Sequence, residues 1–119
     1  MRPEVLYLTD IVEAAESIAR FLGNVEREAF LEDDLRQSAV AQKFIIIGEA
    51  AARLSPEYRE QHPEIEWRKA IGLRNVTVHD YFSINWEIIW STAVFDIPLL
   101  RQQIIALLPP NDPPMESPN

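Results

Sequence analysis

Apolar residues recur at three- and four-residue intervals through most of this chain, and no stretch of convincing length alternates apolar with polar residues. A chain patterned in this way buries one stripe per helix, so its core must come from packing helices on one another. Only 3 Gly occur in 119 residues, which leaves long segments uninterrupted. The first stripe, Val5, Leu8, Val12, Ala15, Ala19 and Leu22, predicts a helix from about Pro3 to Leu22 that opens on proline and stops at Gly23-Asn24. The acidic stretch from Glu26 to Arg36 ends in carboxylates suited to cap a second helix, from about Asp34 to Leu54. The middle of that helix, Phe44 to Ala52, is apolar nearly all round and is expected to be buried on more than one side, with Glu49 as a carboxylate inside it.

Ser55-Pro56-Glu57 reads as an N-cap followed by proline at the first helical position, opening a short helix that Pro63 ends. A third main helix is expected over roughly Ile65 to Tyr81. Asn85 caps a fourth, Trp86 to Leu108, in which Pro98 lacks the amide that would bond the Val94 carbonyl and should kink it. Four helices with short connections imply an all-α, up-and-down four-helix bundle over residues 1–108. Pro109, Pro110, Pro113, Pro114 and Pro118 make residues 109–119 an expected disordered tail.

Charge narrows the function classes. The formal net charge of −8, from 19 acidic and 11 basic residues, opposes passive attraction to a phosphate backbone or an anionic membrane, so nucleic-acid chemistry would require a local basic site. There is no Cys, and His62 and His79 are the only histidines, so disulfides are impossible and a metal site has few ligands to draw on. No metal and no cofactor are expected. Glu4, Asp10, Glu13 and Glu16 interrupt the first 22 residues, which therefore read neither as a signal segment nor as a membrane span, and a cytoplasmic location without membrane contact is expected. The acidic run Glu26 to Asp34 reads first as a solvated face and second as a docking surface for a basic partner. Trp67, Trp86 and Trp90 sit at helical spacing among apolar neighbours, which favours core packing over base stacking. His62, in a proline-bounded turn, reads as structural or exposed.

The third helix carries the chemistry. At α-helical spacing Trp67, Ile71, Val78 and Phe82 form one stripe, with Arg74 and Tyr81 on one edge and Asn75 and His79 on the other. Leu73 and Val76 place apolar groups on the back, so two sides of the helix require cover, which points to a homodimer through the third and fourth helices. Imidazole moves protons near neutrality and guanidinium holds phosphoryl oxygens, a combination suited to phosphodiester cleavage. RNA carries its own nucleophile, the 2′-hydroxyl, so such cleavage needs no metal and leaves a 2′,3′-cyclic phosphate. One His cannot act as base and acid in a single step, whereas a two-fold dimer supplies two. On pattern alone His79 reads first as a structural histidine, and Arg74 could merely be a partner for Glu49.

The longer string Trp67-Arg68-Lys69-Ala70-Ile71-Gly72-Leu73-Arg74-Asn75-Val76-Thr77-Val78-His79-Asp80-Tyr81-Phe82 resembles the signature of the HepT-like HEPN family, toxins of the MNT/HEPN (type VII) toxin–antitoxin pairs. The likeness extends through Tyr7-Leu8-Thr9-Asp10-Ile11, Ile47-Gly48-Glu49-Ala50, His62-Pro63-Glu64-Ile65-Glu66-Trp67 and Trp90 to Pro98. The chain departs from it at Asp80, where a small residue is common, and at Leu73, where Met is common. The resemblance implies a dimeric bundle that cleaves RNA without metal, with Arg74, Asn75 and His79 as the catalytic set; a Glu49 paired with Arg74 would also orient it for catalysis. It also implies a cognate nucleotidyltransferase antitoxin that transfers AMP from ATP to Tyr81. The alternative from another class is a non-catalytic helical subunit that presents nucleotide or substrate to a nucleotidyltransferase; Asp80 and the net charge favour it, the intact Arg and His favour the enzyme.

Overall fold

The structure, a computed structural model, describes residues 3–76 and 84–110. All regular elements among them are helical: α1 (Pro3–Leu22), α2 (Arg27–Leu31), α3 (Asp34–Arg53), α4 (Pro56–Glu60), α5 (Trp67–Gly72) with a 3-10 turn over Leu73–Asn75, α6 (Trp86–Ser91), a π-turn over Thr92–Asp96, and α7 (Ile97–Ile105). None is long and apolar enough to cross a membrane. The proline-rich tail from residue 111 onward, expected to be disordered, lies outside the described residues.

Local chemistry sets most of the boundaries. Gly23 ends α1 in the left-handed region at φ 51°, which a side chain would strain, and its amide bonds the Ala19 carbonyl at 3.0 Å. Asp33 caps α3 by accepting the Arg36 amide at 3.1 Å. Ser55 Oγ accepts from the Tyr58 amide at 3.0 Å with Pro56 in the first turn of α4, and Asn85 Oδ1 accepts from Glu87 and Ile88 at the start of α6. All three caps are at the positions that the sequence indicates.

The core is the seam between α1 and α3, closed by α5 on one side and by α6 and α7 on the other. Leu8, Ile11, Ile18, Val40, Phe44, Ile47, Leu54 and Ile104 are fully buried there. Ala19, expected on the buried stripe of α1, is exposed, and Ile11, Ala14 and Ile18 complete the buried face instead. Arg101 and Glu16 tie α7 to α1 through contacts of 2.8 and 3.1 Å, and Arg27 pairs with Glu87 to tie α2 to α6.

α2 arises within a stretch that reads as an acidic connector. Its Phe30 is completely buried and packs against Trp86 at 6.4 Å, edge on, and against Trp90 at 5.4 Å. That placement confirms packing as the role of these two indoles. The buried Gln37 donates through Nε2 to the carbonyls of Phe30 and Leu31, which ties α3 to the end of α2. Trp67 is likewise in the core, its indole N–H donating to the His62 carbonyl at 3.0 Å, which gives His62 a structural place in the turn before α5.

The fourth long helix, in which a kink is expected at Pro98, is not α-helical throughout. The five-residue π-turn over Thr92–Asp96 precedes the proline and widens the helix there. It also keeps Ile89, Ala93 and Ile97, each four residues from the next, on one buried face.

Candidate active site

The third long helix is not α-helical throughout. α5 ends at Gly72 and the chain tightens into the 3-10 turn that carries Leu73, Arg74 and Asn75. A 3-10 turn advances about 120° per residue and eclipses positions three apart, so Arg74 stands over Ile71 and Asn75 over Gly72. The α-helical placement expected from Trp67 is therefore wrong for these two residues by roughly 40–60°. The turn brings Arg74 into line with Ile71 and moves Asn75 away from the Trp67 stripe, and both are exposed. His79 and Tyr81, together with Asp80, lie outside the described residues.

What holds Arg74 in place is a close approach of backbones. Gly48, midway along α3, faces the turn so closely that a Cβ added there would lie 2.6 Å from Arg74 Cβ and 2.9 Å from its Cα, and closer still to its amide nitrogen. Glycine in a helix interior is unfavourable by about 1 kcal/mol relative to alanine, so this position is held by the contact rather than by propensity. The sequence gives Gly48 no role beyond its place in a family-like string. The one signal pointing to it is that it stands alone inside a long helical pattern.

On the next residue of the same helix, Glu49 Oε1 lies 3.9 Å from Arg74 Nη1. The carboxylate is expected to be buried and is not: its side chain is 53% exposed, and that of Arg74 40%. The flank of α3 that bears Glu49 is left uncovered, because α5 and the turn lie against α3 beside it. At that distance the pair is an ion contact without a hydrogen bond, and between exposed groups such contacts are weak. Glu49 biases the guanidinium without capturing it, and among the described residues no other carboxylate pairs with Arg74.

Of the expected site residues, the structure thus brings Arg74, Asn75 and Glu49 to one exposed corner of the bundle, where α3 meets the turn after α5. Arg74 is a fixed cation on a rigid backbone, suited to a phosphate or carboxylate ligand.

Comparison with known proteins identifies the family. A protein described as a probable ribonuclease HepT from Thermococcus cleftensis is 39% identical over 95 residues, 80% of this chain and 86% of its own length. Proteins provisionally named RNases from Caldanaerobacter subterraneus subsp. tengcongensis and Methanocaldococcus jannaschii are 33% and 30% identical, covering 86% and 82% of this chain and 91% and 90% of their own. No solved structure gives a significant match. The family model described as ribonuclease HepT-like matches residues 11–107, a span that takes in every helix that builds the corner as well as His79 and Tyr81. With a helical bundle, an Arg fixed ahead of a His, and that match over most of its length, the chain belongs to the HepT-like ribonuclease family.

Proposed function

We propose that this chain is a metal-independent endoribonuclease toxin of a type VII toxin–antitoxin pair, acting as a homodimer and silenced by AMP transfer to Tyr81 from a nucleotidyltransferase of the MNT type. The observation that carries the reading is the exposed, backbone-locked Arg74, five residues before His79, in a chain of the HepT-like family.

In this reading Arg74 holds the non-bridging oxygens of the scissile phosphate and Asn75 orients it. His79 removes the proton of the 2′-hydroxyl, the 2′-oxygen attacks phosphorus, and the departing 5′-oxygen takes its proton from the His79 of a second copy. The products are a 2′,3′-cyclic phosphate and a 5′-hydroxyl. Ile88, Phe95 and Leu99 stand exposed on the outer face of α6, the π-turn and α7, and support a contact with a second copy along the last helix. Adenylylation joins the Tyr81 oxygen to the α-phosphorus of ATP with loss of pyrophosphate. The phosphodiester so formed would compete for Arg74 and block the site by charge and bulk.

The deciding experiment is cleavage of total RNA in EDTA by wild type and His79→Ala, with end-group analysis. Wild type is expected to cut and leave cyclic phosphate termini, and the variant to be inert. Activity that vanishes in EDTA and returns with magnesium would overturn the mechanism.

A further inference from the structure

Between α4 and α5 lies a groove of about 440 Å³ lined by Pro56, Arg59, Glu60, Trp67, Arg68 and Ile71. Its floor is apolar, from Pro56, the edge of Trp67 and Ile71, and its rim carries two guanidinium groups against one carboxylate. Among the described residues neither Arg59 nor Arg68 has a carboxylate within ion-pair distance, whereas Arg27, Arg36, Lys69, Arg74 and Arg101 each have one. In a chain of net charge −8 two unneutralised arginines on one groove are a local reversal of sign. The neighbouring cleft below α5 makes the contrast: it is lined by Glu64, Glu66 and Asp96, and its one cation, Lys69, is paired with Glu66 at 3.2 Å.

The groove also points toward the candidate site. Ile71, on its floor, is the residue over which Arg74 stands, one turn or roughly 5 Å further along the helix axis. A chain lying in the groove with its phosphates on Arg59 and Arg68 would therefore continue onto Arg74.

We propose that the groove between α4 and α5 is a subsite for the RNA backbone flanking the scissile phosphate, with Arg59 and Arg68 as its phosphate contacts and Pro56, Trp67 and Ile71 as an apolar seat for ribose or base. The assignment rests on the ribonuclease reading and adds a path for the substrate on one side of the cut. It offers an acidic protein a way to hold a polyanion: two cations without a carboxylate partner share one groove that leads to Arg74.

The test uses the intact protein and a mixed-sequence, fully 2′-O-methylated RNA 12-mer, which binds without being cut. Each phosphate of a single strand that a protein cation neutralises adds about 0.7 to the slope of log Kd against log salt, so Arg59→Gln/Arg68→Gln is expected to lower the slope by about 1.4 and to weaken binding roughly 25-fold at ~0.1 M salt. On cleavable RNA, KM should rise with kcat nearly unchanged. Arg20→Gln, which removes a cation on α1 away from the groove, should leave the slope as in wild type. A double variant with wild-type slope and KM overturns the subsite while leaving the ribonuclease reading in place. Wild type that neither binds nor cuts RNA overturns that reading and the subsite with it. A double variant that keeps RNA affinity but no longer associates with the nucleotidyltransferase would make the groove a protein-docking surface and refute the proposal.

Discussion

Replacing Gly48 by alanine sets two effects of opposite sign against each other. Helix propensity alone favours the alanine by about 1 kcal/mol in the middle of a helix. Against this, the new methyl would lie 2.6 Å from Arg74 Cβ and 2.9 Å from Arg74 Cα, where carbon atoms rest at about 3.5–4.0 Å. Because the opposing atoms belong to the backbone and the root of a side chain, no rotamer change relieves the overlap. The 3-10 turn must withdraw by roughly 1 Å, and forcing a methyl into a packed contact costs about 1–3 kcal/mol. The expected net is a destabilisation of about 1 kcal/mol, read as a fall in thermal midpoint of roughly 4 °C. Gly72→Ala is the internal control, since a Cβ there meets nothing within 4 Å and α5 should gain stability. RNA cleavage should fall far more than stability does, because a shift of ~1 Å in a substrate-holding group can cost about 100-fold in rate. A Gly48→Ala protein that melts higher than wild type, or that keeps full activity, would refute the argument that this glycine fixes Arg74.

Phe30→Ala removes a fully buried ring packed on Trp86 and Trp90 and should destabilise the fold by about 3–5 kcal/mol, measured by urea unfolding. Glu49→Gln should change stability by less than about 0.5 kcal/mol, because the pair with Arg74 is long and exposed, and should leave the fold unchanged by circular dichroism. The Arg36 amide and guanidinium hold the Asp33 carboxyl below the usual carboxylate range, so its contribution to stability is complete above pH ~4 and is lost as pH falls through the lowered value; Asp33→Ala should flatten that part of an acid-unfolding profile. Tyr81→Phe should keep the fold, retain RNase activity, and show no added AMP by intact mass after incubation with ATP and the cognate nucleotidyltransferase, whereas the wild type gains it.

The parts of this molecule legible in its sequence are those decided within a few residues. Gly23, Asp33, Ser55-Pro56 and Asn85 each end or begin a helix through bonds to their own neighbours, and all four act where the sequence places them. Features that depend on what lies across the fold are harder to read. Glu49 sits in an apolar run, yet the elements packed on α3 leave its flank open, and hydrophobic neighbours along a chain do not reveal which side of a helix remains uncovered. The 3-10 turn at Arg74 packs closely on Gly48 across the fold, a contact that spacing along the chain does not signal, so a periodicity argument continues the α-helix straight through. α2 is hidden because its charged residues outnumber the single phenylalanine that anchors it. In the candidate site, residue types and spacing identify Arg74 and Asn75, but the glycine that positions Arg74 becomes apparent only from the far side of the contact.

The π-turn in the last helix has a consequence for how the chain tolerates a change of length. Buried residues run Ile89, Ala93, Ile97, Leu100 and Ile104, at steps of four, four, three and four, so the segment uses about half a residue more than an α-helix of ~3.6 residues per turn would over the same four turns, an excess that the π-turn takes up. Removing a single residue ordinarily rotates everything beyond it by about 100° and turns a buried face outward. Here, deletion of Val94 would leave steps of four, three, three and four, and the surplus turn would be absorbed into a regular helix with Ile97, Leu100 and Ile104 still facing the core. The last helix is thus a place where chains of different length can keep one buried face, with Pro98 weighing toward the longer form: its missing amide falls in the first turn of α7 here, whereas in an uninterrupted helix it would lie in the interior.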